Sequence, residues 1–450
     1  MSQYKAYPAY KDSGAEWIGQ VPEHWEVKRL RHVGRYSNSG VDKKSYEDQQ
    51  TVELCNYTDV YYNEFINDDM PFMQATASSH EIEQFTLRKG DVIITKDSED
   101  PSDIGIPAFV RHDMPGVVCG YHLTMIRALN DNYGSYIHRS LQSDHTKAHF
   151  FVESPGITRY GLNQNTIGNA PVALPPPDEQ ATIAAALERE TARIDALIGK
   201  KTRFIELLKE KRQALITHAV TKGLNPNVKM KDSGVEWIGQ VPEHWEVKRL
   251  RHVGRYSNSG VDKKSYEDQQ TVELCNYTDV YYNEFINDDM PFMQATASSH
   301  EIEQFTLRKG DVIITKDSED PSDIGIPAFV RHDMPGVVCG YHLTMIRALN
   351  DNYGSYIHRS LQSDHTKAHF FVESPGITRY GLNQNTIGNA PVALPPPDEQ
   401  ATIAAALERE TARIDALIGK VEQSIALLKE RRSAFITAAV TGQIDLRGEQ

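Results

Sequence analysis

The sequence is short of cysteine, of long apolar runs and of basic charge, and each shortage excludes something. The four cysteines of the 450-residue chain, Cys55, Cys119, Cys275 and Cys339, lie far apart with no CxxC pairing. They read as buried thiols rather than a disulfide framework or zinc ligands. No apolar run approaches the roughly 20 residues that span a bilayer. Residues 1–10 carry no signal-peptide pattern, so the expected location is cytoplasmic. Acidic residues outnumber basic ones, 62 against 48, for a net charge of −14. That counts against binding nucleic acid through a broad basic surface, though it leaves local basic patches open. Glycine-rich loops of the dinucleotide or Walker type are missing, as are zinc-ligand spacing and a GxSxG elbow. No catalytic residue, metal site or cofactor is expected in this chain. A self-contained enzyme finds no support.

What the chain does contain is a repeat. Lys11 to Lys200 recurs as Lys231 to Lys420 with a single difference, Ala15 against Val235. Beyond those points the copies drift apart, yet Leu207-Leu-Lys-Glu and Leu427-Leu-Lys-Glu survive. Near-identity followed by drift indicates a swap or recent duplication of one head on an older duplicated frame.

Each copy ends in a long helical stretch. Pro175-Pro-Pro-Asp-Glu-Gln is followed by no further proline or interior turn signal up to Val220. Asp178 is a candidate N-cap, and Glu179 places negative charge at the positive end of the helix dipole. Ile183, Leu187, Ile194, Leu197, Ile205 and Leu208 form an apolar stripe at helical spacing, matched by Ile403, Leu407, Ile414, Leu417, Ile425 and Leu428. A rod of some 43 residues, roughly 63 Å long, cannot bury such a stripe alone. The two stripes are therefore expected to pair. Antiparallel pairing would give an α+β protein of two heads and two long helices with approximate twofold symmetry. The alternative is a tandem array with no mutual geometry.

Within one head, Trp17 and Trp25 read as core or interface anchors, and Trp25 to Val33 as a strand or short helix. Strands are expected at Thr51 to Leu54, within Phe85 to Thr95, at Ala108 to Arg111, Val117 to Arg127 and Ala170 to Leu174. Asn56 to Phe72 reads as loops and short strands, and Ser135 to Phe151 as one helix. The densest basic cluster, Lys28 to Lys44, interleaves bases with Tyr36, Ser37, Asn38 and Ser39 and resembles a phosphate-facing loop. Asp97, Glu99, Asp100 and Asp103 lack the ordered ligands of a calcium loop and read as a solvated acidic loop. Such loops can also read bases, since Asp accepts from cytosine N4 and Asn pairs with adenine.

Three motifs then resemble the specificity (S) subunit of type I restriction-modification systems. They are Glu16-Trp-Ile-Gly-Gln-Val-Pro-Glu-His-Trp-Glu-Val, Leu174-Pro-Pro-Pro-Asp-Glu-Gln-Ala-Thr-Ile, and Leu427-Leu-Lys-Glu-Arg-Arg-Ser-Ala-Phe-Ile-Thr-Ala-Ala-Val-Thr-Gly-Gln-Ile-Asp. The resemblance implies a non-catalytic DNA-reading subunit with target recognition domains at 1–174 and 223–394 and conserved spacer helices at 175–222 and 395–450. It also implies two modification subunits bringing S-adenosylmethionine and adenine-N6 methylation, and restriction subunits using ATP and Mg2+. Two identical heads depart from the usual pair of different ones, so an interrupted palindrome is the expected target.

The residues nominated for DNA contact in the first head are Lys28, Arg35, Lys43, Lys44, Lys96, Ser98, Tyr121, His122, Thr158, Arg159, Tyr160 and Asn163. Their copies are Lys248, Arg255, Lys263, Lys264, Lys316, Ser318, Tyr341, His342, Thr378, Arg379, Tyr380 and Asn383. A DNA-free coiled-coil adaptor with protein-binding heads is the competing expectation.

Overall fold

The computed structural model describes residues 4–129, 131–349 and 353–448. The chain divides into two compact units, Met1–Thr202 with Gln423–Gln450, and Arg203–Glu422.

In the first unit a small ribbon pairs Tyr10–Asp12 with Gln20–Pro22. Strand Glu26–Arg29 pairs with Pro171–Leu174, which joins the start of the head to its last strand at the foot of the long helix. A five-stranded sheet follows the order Gly34–Asn38, Leu123–Ala128, Val92–Thr95, Pro107–Val110, Phe65–Ile66. All its neighbours are antiparallel except the last pair. A three-stranded sheet places Gln50–Cys55 between Val117–Cys119 and Met73–Ala77. The second unit repeats this order.

Side chains alternate across a strand, so the central strand Val92–Thr95 feeds two cores. Val92 and Ile94 pack with Trp25, Tyr136, Phe150, Ile183, Leu187 and Phe435. Ile93, from the opposite face, packs with Leu54, Ile66, Phe85 and Met125. Only the first core reaches the long helices. All four cysteine thiols are buried and free. Gly105 has φ +75° and a Cβ there would overlap the Phe150 ring, so the acidic loop can return to the sheet only through glycine.

Several local expectations change. Tyr57–Tyr61 is a helix capped at Asn56, where the Asn56 N–H donates to Asp59 Oδ2 at 2.7 Å. Ser79–Phe85 is a second short helix, with Ser78 and Glu81 closing a capping box. The helix expected from Ser135 to Phe151 is two, Asp131–Leu141 and Asp144–Glu153, broken where Ser143 takes the N-cap place. Trp25 is fully buried, whereas Trp17 is 45% exposed because its neighbour Ile18 takes the inward place in the ribbon turn.

The long helices run Pro177–Lys222 and Pro397–Val440. The first begins at Pro177, and the Gln180 N–H donates to the Pro176 carbonyl at 2.9 Å, which puts Asp178 inside the first turn rather than at the cap. Inward positions fall at Leu187, Thr191, Ile194, Ile198, Lys201, Ile205 and Leu208, in steps of four and three that follow a coiled-coil heptad. Leu197 and Leu417 stand one residue off this seam and are 42% and 39% exposed. Ile403 and Leu407 are buried, and Ile414, Ile425 and Leu428 are half-buried.

Each unit contains its own antiparallel helix contact. In the first, Arg432 Nε lies 2.9 Å from Asp195 Oδ1, while Ile183 and Leu187 share a core with Phe435 and Val440. In the second, Arg212 Nε lies 3.0 Å from Asp415 Oδ1, while Ile216 and Val220 share a core with Ile403 and Leu407.

His138 is buried beneath Phe65 and Phe109, with ring centroids 5.9 and 5.7 Å away. Burial, with the Arg139 charge beside it, pushes its pKa down to about 3, and burial takes His145 to about 4. The copies His358 and His365 shift alike. An unfolded histidine titrates near 6.5. Below that pH the unfolded chain binds protons that the folded rings refuse. Stability is therefore full above about pH 6.5 and falls as the pH drops, by roughly 1.4 kcal/mol per pH unit for each ring until its folded pKa is reached. Urea midpoints at pH 7, 6 and 5 should descend steadily; a flat series rejects this account.

Candidate nucleic-acid interface

The end of strand Val92–Thr95 and the beginning of Leu123–Ala128 meet at one edge of the head. There the Lys96 N–H donates to the His122 carbonyl at 3.0 Å, and the Leu162 N–H to the Lys96 carbonyl at 2.7 Å. These bonds bring in the ribbon that pairs Tyr160 with Ser98 and Gly161 with Asp97. His122 and His342 have φ of 71° and 72°, and among the described residues no other non-glycine has positive φ. Such left-handed conformations in a non-glycine residue are strained and concentrate at functional sites.

His122 is held by Asp97, with Nδ1 2.7 Å from Oδ2, and packs edge-on against Tyr121 at 4.0 Å. Lys96 Nζ sits 4.8 Å above the Tyr121 ring. In the second head Lys316 keeps that place at 4.9 Å and also donates to Asp317 at 2.7 Å. Burial opposes ionisation of Asp317, but the hydrogen bonds from Lys316 and His342 outweigh it and hold its carboxyl below the usual range.

Tyrosines from the helix Tyr57–Tyr61 complete the cluster. Tyr57 and Tyr61 stack at 5.5 Å, and Tyr62, 77% exposed, meets Tyr61 edge-on at 4.9 Å. The Tyr61 hydroxyl donates to the Asp103 carboxylate, which pushes its pKa up to about 12. In the second head the tyrosines, Asp317, Ser318, Asp323, His342 and Arg379 line a cavity of about 390 Å3. Exposed aromatic faces can stack on bases, carboxylates accept from exocyclic amino groups, and guanidinium donates to purine edges or phosphate.

The fold thus brings together Lys96, Ser98, Tyr121, His122 and Tyr160, with exposed Thr158 and Arg159 in the adjoining loop, and likewise their copies. Lys43 and Lys44 follow Val41, whose carbonyl accepts the Tyr121 N–H at 2.7 Å, so their loop starts from the same edge. Both lysines are exposed, as are Lys263 and Lys264. Lys28 and Lys248 lie elsewhere, on the strand paired with Pro171–Leu174 or its copy, each 2.6 Å from a glutamate, Glu26 or Glu246. Arg35 and Arg255 lie toward the opposite end of the five-stranded sheet, across from Arg127 and Arg347. Asn163 and Asn383 spend their side chains as helix caps, with Oδ1 accepting the Thr166 or Thr386 N–H at 2.9 Å. Tyr57, Tyr61, Tyr62 and Asp103 were not nominated from sequence. The signal for them was Asn56-x-x-Asp59, a cap that turns an apparent loop into a helix with aromatics four apart.

Comparison with known proteins agrees with this architecture. The family model for the type I restriction modification DNA specificity domain matches residues 22–207 and 242–426. The chain is similar to the EcoKI type I restriction enzyme specificity subunit of Escherichia coli, 21% identical over 444 residues, which cover 95% of this chain and 90% of that one. It is also similar to the MjaVIII specificity subunit of Methanocaldococcus jannaschii, 22% identical over 298 residues, covering 66% and 64%. Of that protein and a second M. jannaschii relative, the match spans only 64% and 53% of the length. Two solved structures share the fold. One is a chain from work on complex assembly and conformational transition of the type I R-M system, with TM-score 0.68 and 16% identity, covering 96% of this chain and 99% of that one. The other is the HsdS subunit of Thermoanaerobacter tengcongensis, with TM-score 0.50 and 17% identity, covering 94% and 98%. Two matched copies spanning most of its length mean that this chain belongs to the type I restriction modification DNA specificity domain family.

Proposed function

We propose that this protein is the DNA-reading, non-catalytic specificity subunit of a type I restriction-modification complex. The observation that carries this reading is the duplicated edge cluster on a chain matched twice by the specificity-domain family. Target recognition domains at 1–174 and 223–394 each read half of a bipartite site, and the helices at 175–222 and 395–450 act as spacer. Base edges meet Tyr61, Tyr62, His122 and Arg159 and their copies, while Lys43, Lys44 and Lys96 neutralise phosphate. Identical heads read identical half-sites in inverted orientation, hence an interrupted palindrome.

Phe204 and Leu207 of the second unit lie outside the seam and are 43% and 46% exposed, apolar positions available to partner subunits, and Leu197 and Leu427 of the first unit are 42% and 65% exposed. Modification subunits dock there and supply S-adenosylmethionine and the adenine-N6 methyltransferase site, which requires the target base to leave the stack. Restriction subunits add ATP- and Mg2+-dependent action, and the whole complex works in the cytoplasm beside its DNA. A chain of net charge −14 binds DNA weakly alone and gains phosphate contacts from those partners.

Methylome sequencing of a host expressing the complex tests the reading. The expected result is N6-methyladenine on both strands of an interrupted palindrome. An asymmetric motif rejects the inverted arrangement, and the absence of any chain-dependent motif rejects the function.

A further inference from the structure

A second polar surface lies away from the edge cluster. In the second unit, edge strand Gly254–Asn258 pairs on one side only, with Leu343–Ala348, in a register that sets Arg255 opposite Arg347 and Ser257 opposite Met345. These four side chains share one face of the sheet. The helix Ser299–Phe305 adds His300, Glu303 and Gln304, and the following turn adds Arg308. Together they line a groove of about 410 Å3. The same residues recur in the first head around Arg35, Arg88 and Arg127.

The three arginines are not equivalent. Arg347 is neutralised and fixed by buried Asp311, with Nε–Oδ1 at 2.8 Å and Nη2–Oδ2 at 2.7 Å, and it also donates to the Thr306 carbonyl at 3.1 Å. Arg127 repeats this on Asp91 at 2.7 Å. Arg255 and Arg308 are exposed, and neither forms an ion pair among the described residues; the same holds for Arg35 and Arg88. Two free guanidiniums therefore flank a groove whose third guanidinium is already neutralised, with serine, histidine and glutamine groups and one carboxylate, Glu303, between them. That combination suits a tetrahedral oxyanion, which guanidinium binds in bidentate fashion.

We propose that this groove holds the phosphodiester backbone of duplex DNA flanking the half-site. The proposal rests on the DNA-reading function above and adds to it a second, sequence-independent contact. His342 immediately precedes strand Leu343–Ala348 and Arg347 lies five residues on, near its far end, about 16 Å away at the usual rise per residue. For a duplex lying along this strand that separation is about five base pairs of B-DNA, which puts the phosphate gripped here outside the bases read at the edge cluster.

The test replaces both free arginines in each head with glutamine, Arg35→Gln, Arg88→Gln, Arg255→Gln and Arg308→Gln, in the complex with modification subunits. Fluorescence anisotropy against salt is read on a 40-base-pair duplex carrying the methylated motif and on one trimmed to the motif's edges. On the long duplex the expected result is at least a tenfold loss of affinity and a salt slope shallower by about 2, for about one phosphate per head. The trimmed duplex and the methylated motif should be unchanged. Substituting lysine at the same four positions should keep the slope, which separates charge from folding. Unchanged affinity and slope on the long duplex overturn the proposal, and a changed motif overturns it in favour of base reading. A wild-type complex that fails to bind either duplex overturns the DNA-reading function itself and this groove with it.

Discussion

Replacing Glu64 with alanine should destabilise the first unit by about 3–5 kcal/mol. Glu64 precedes the edge strand Phe65–Ile66, and its carboxylate accepts from Arg139 of the head and from Arg432 of the last helix. Arg139 is only 3% exposed, and among the described residues its one other side-chain partner is the Gln142 amide oxygen at 2.9 Å. Burial alone would raise the Glu64 pKa; the two guanidiniums outweigh it and hold the carboxyl below its usual range. Removing the carboxylate strands a buried cation and frees Arg432, leaving it only Asp195. That differs from trimming a surface pair, worth about 1 kcal/mol or less. Glu64→Gln, which keeps an acceptor but loses the charge, should fall between. Hydrogen exchange across the helix Asp131–Leu141 and the end of Pro397–Val440 is the measurement; unchanged protection there refutes the clamp. Glu284, joined to Arg359 and Arg212, should behave alike in the second unit.

The second large effect is a contrast between copies of one residue. Glu179→Ala should cost about 2–4 kcal/mol, whereas Glu399→Ala should cost about 1 kcal/mol or less. Glu179 accepts from the Tyr7 hydroxyl at 2.6 Å and the Trp25 indole N–H at 3.2 Å, and it also meets His24 Nε2 at 2.9 Å. Burial first, and then the Glu179 bond, drive the Tyr7 pKa up. Among the described residues Glu399 has only His244, at 2.8 Å, and the buried indole N–H of Trp245 has no partner. Side-chain exposure follows, 5% for Glu179 and 32% for Glu399.

The cause is which segments cover the two glutamates. In the first unit Tyr4–Tyr10 and Gln443–Arg447 close over Glu179: the Asp445 N–H donates to the Lys5 carbonyl at 2.8 Å, and the Arg447 guanidinium lies 4.7 Å from the Tyr7 ring centroid. In the second unit the corresponding ground is crossed by the continuous stretch from Gly223 to Lys229, which brings no tyrosine. Urea unfolding of the two single variants compares them directly, and equal losses would refute the contrast.

Much of the frame was legible beforehand because its signals are local. An apolar stripe at helical spacing and a proline start act within a few residues of the structure they specify, so the long helices were readable from Pro175 onward. The β-branched run at the end of Phe85 to Thr95 marked a buried strand for the same reason. Expectations failed where two local signals competed. Ser143 offers a cap in the middle of a helical pattern and splits it. Asn56 does the reverse, starting a helix within a stretch whose polar and aromatic mixture reads as loop. Leu197 looked like part of the stripe because apolar character alone does not distinguish it from Ile198, one residue round the helix.

The amino-acid sequence by itself determined that this protein has two equal heads, that each is followed by a long helix with one apolar seam, and that no cofactor motif accompanies them. Only the tertiary structure decided that Lys96, His122, Tyr160 and Tyr61, drawn from four separate stretches of the head, share one edge while Arg35 and Lys28 do not. It also decided that two copies of one tryptophan and one glutamate meet different surroundings. Local propensity acts over a turn or two of chain. Which distant loops meet depends on strand register, which is not written in any short stretch of residues.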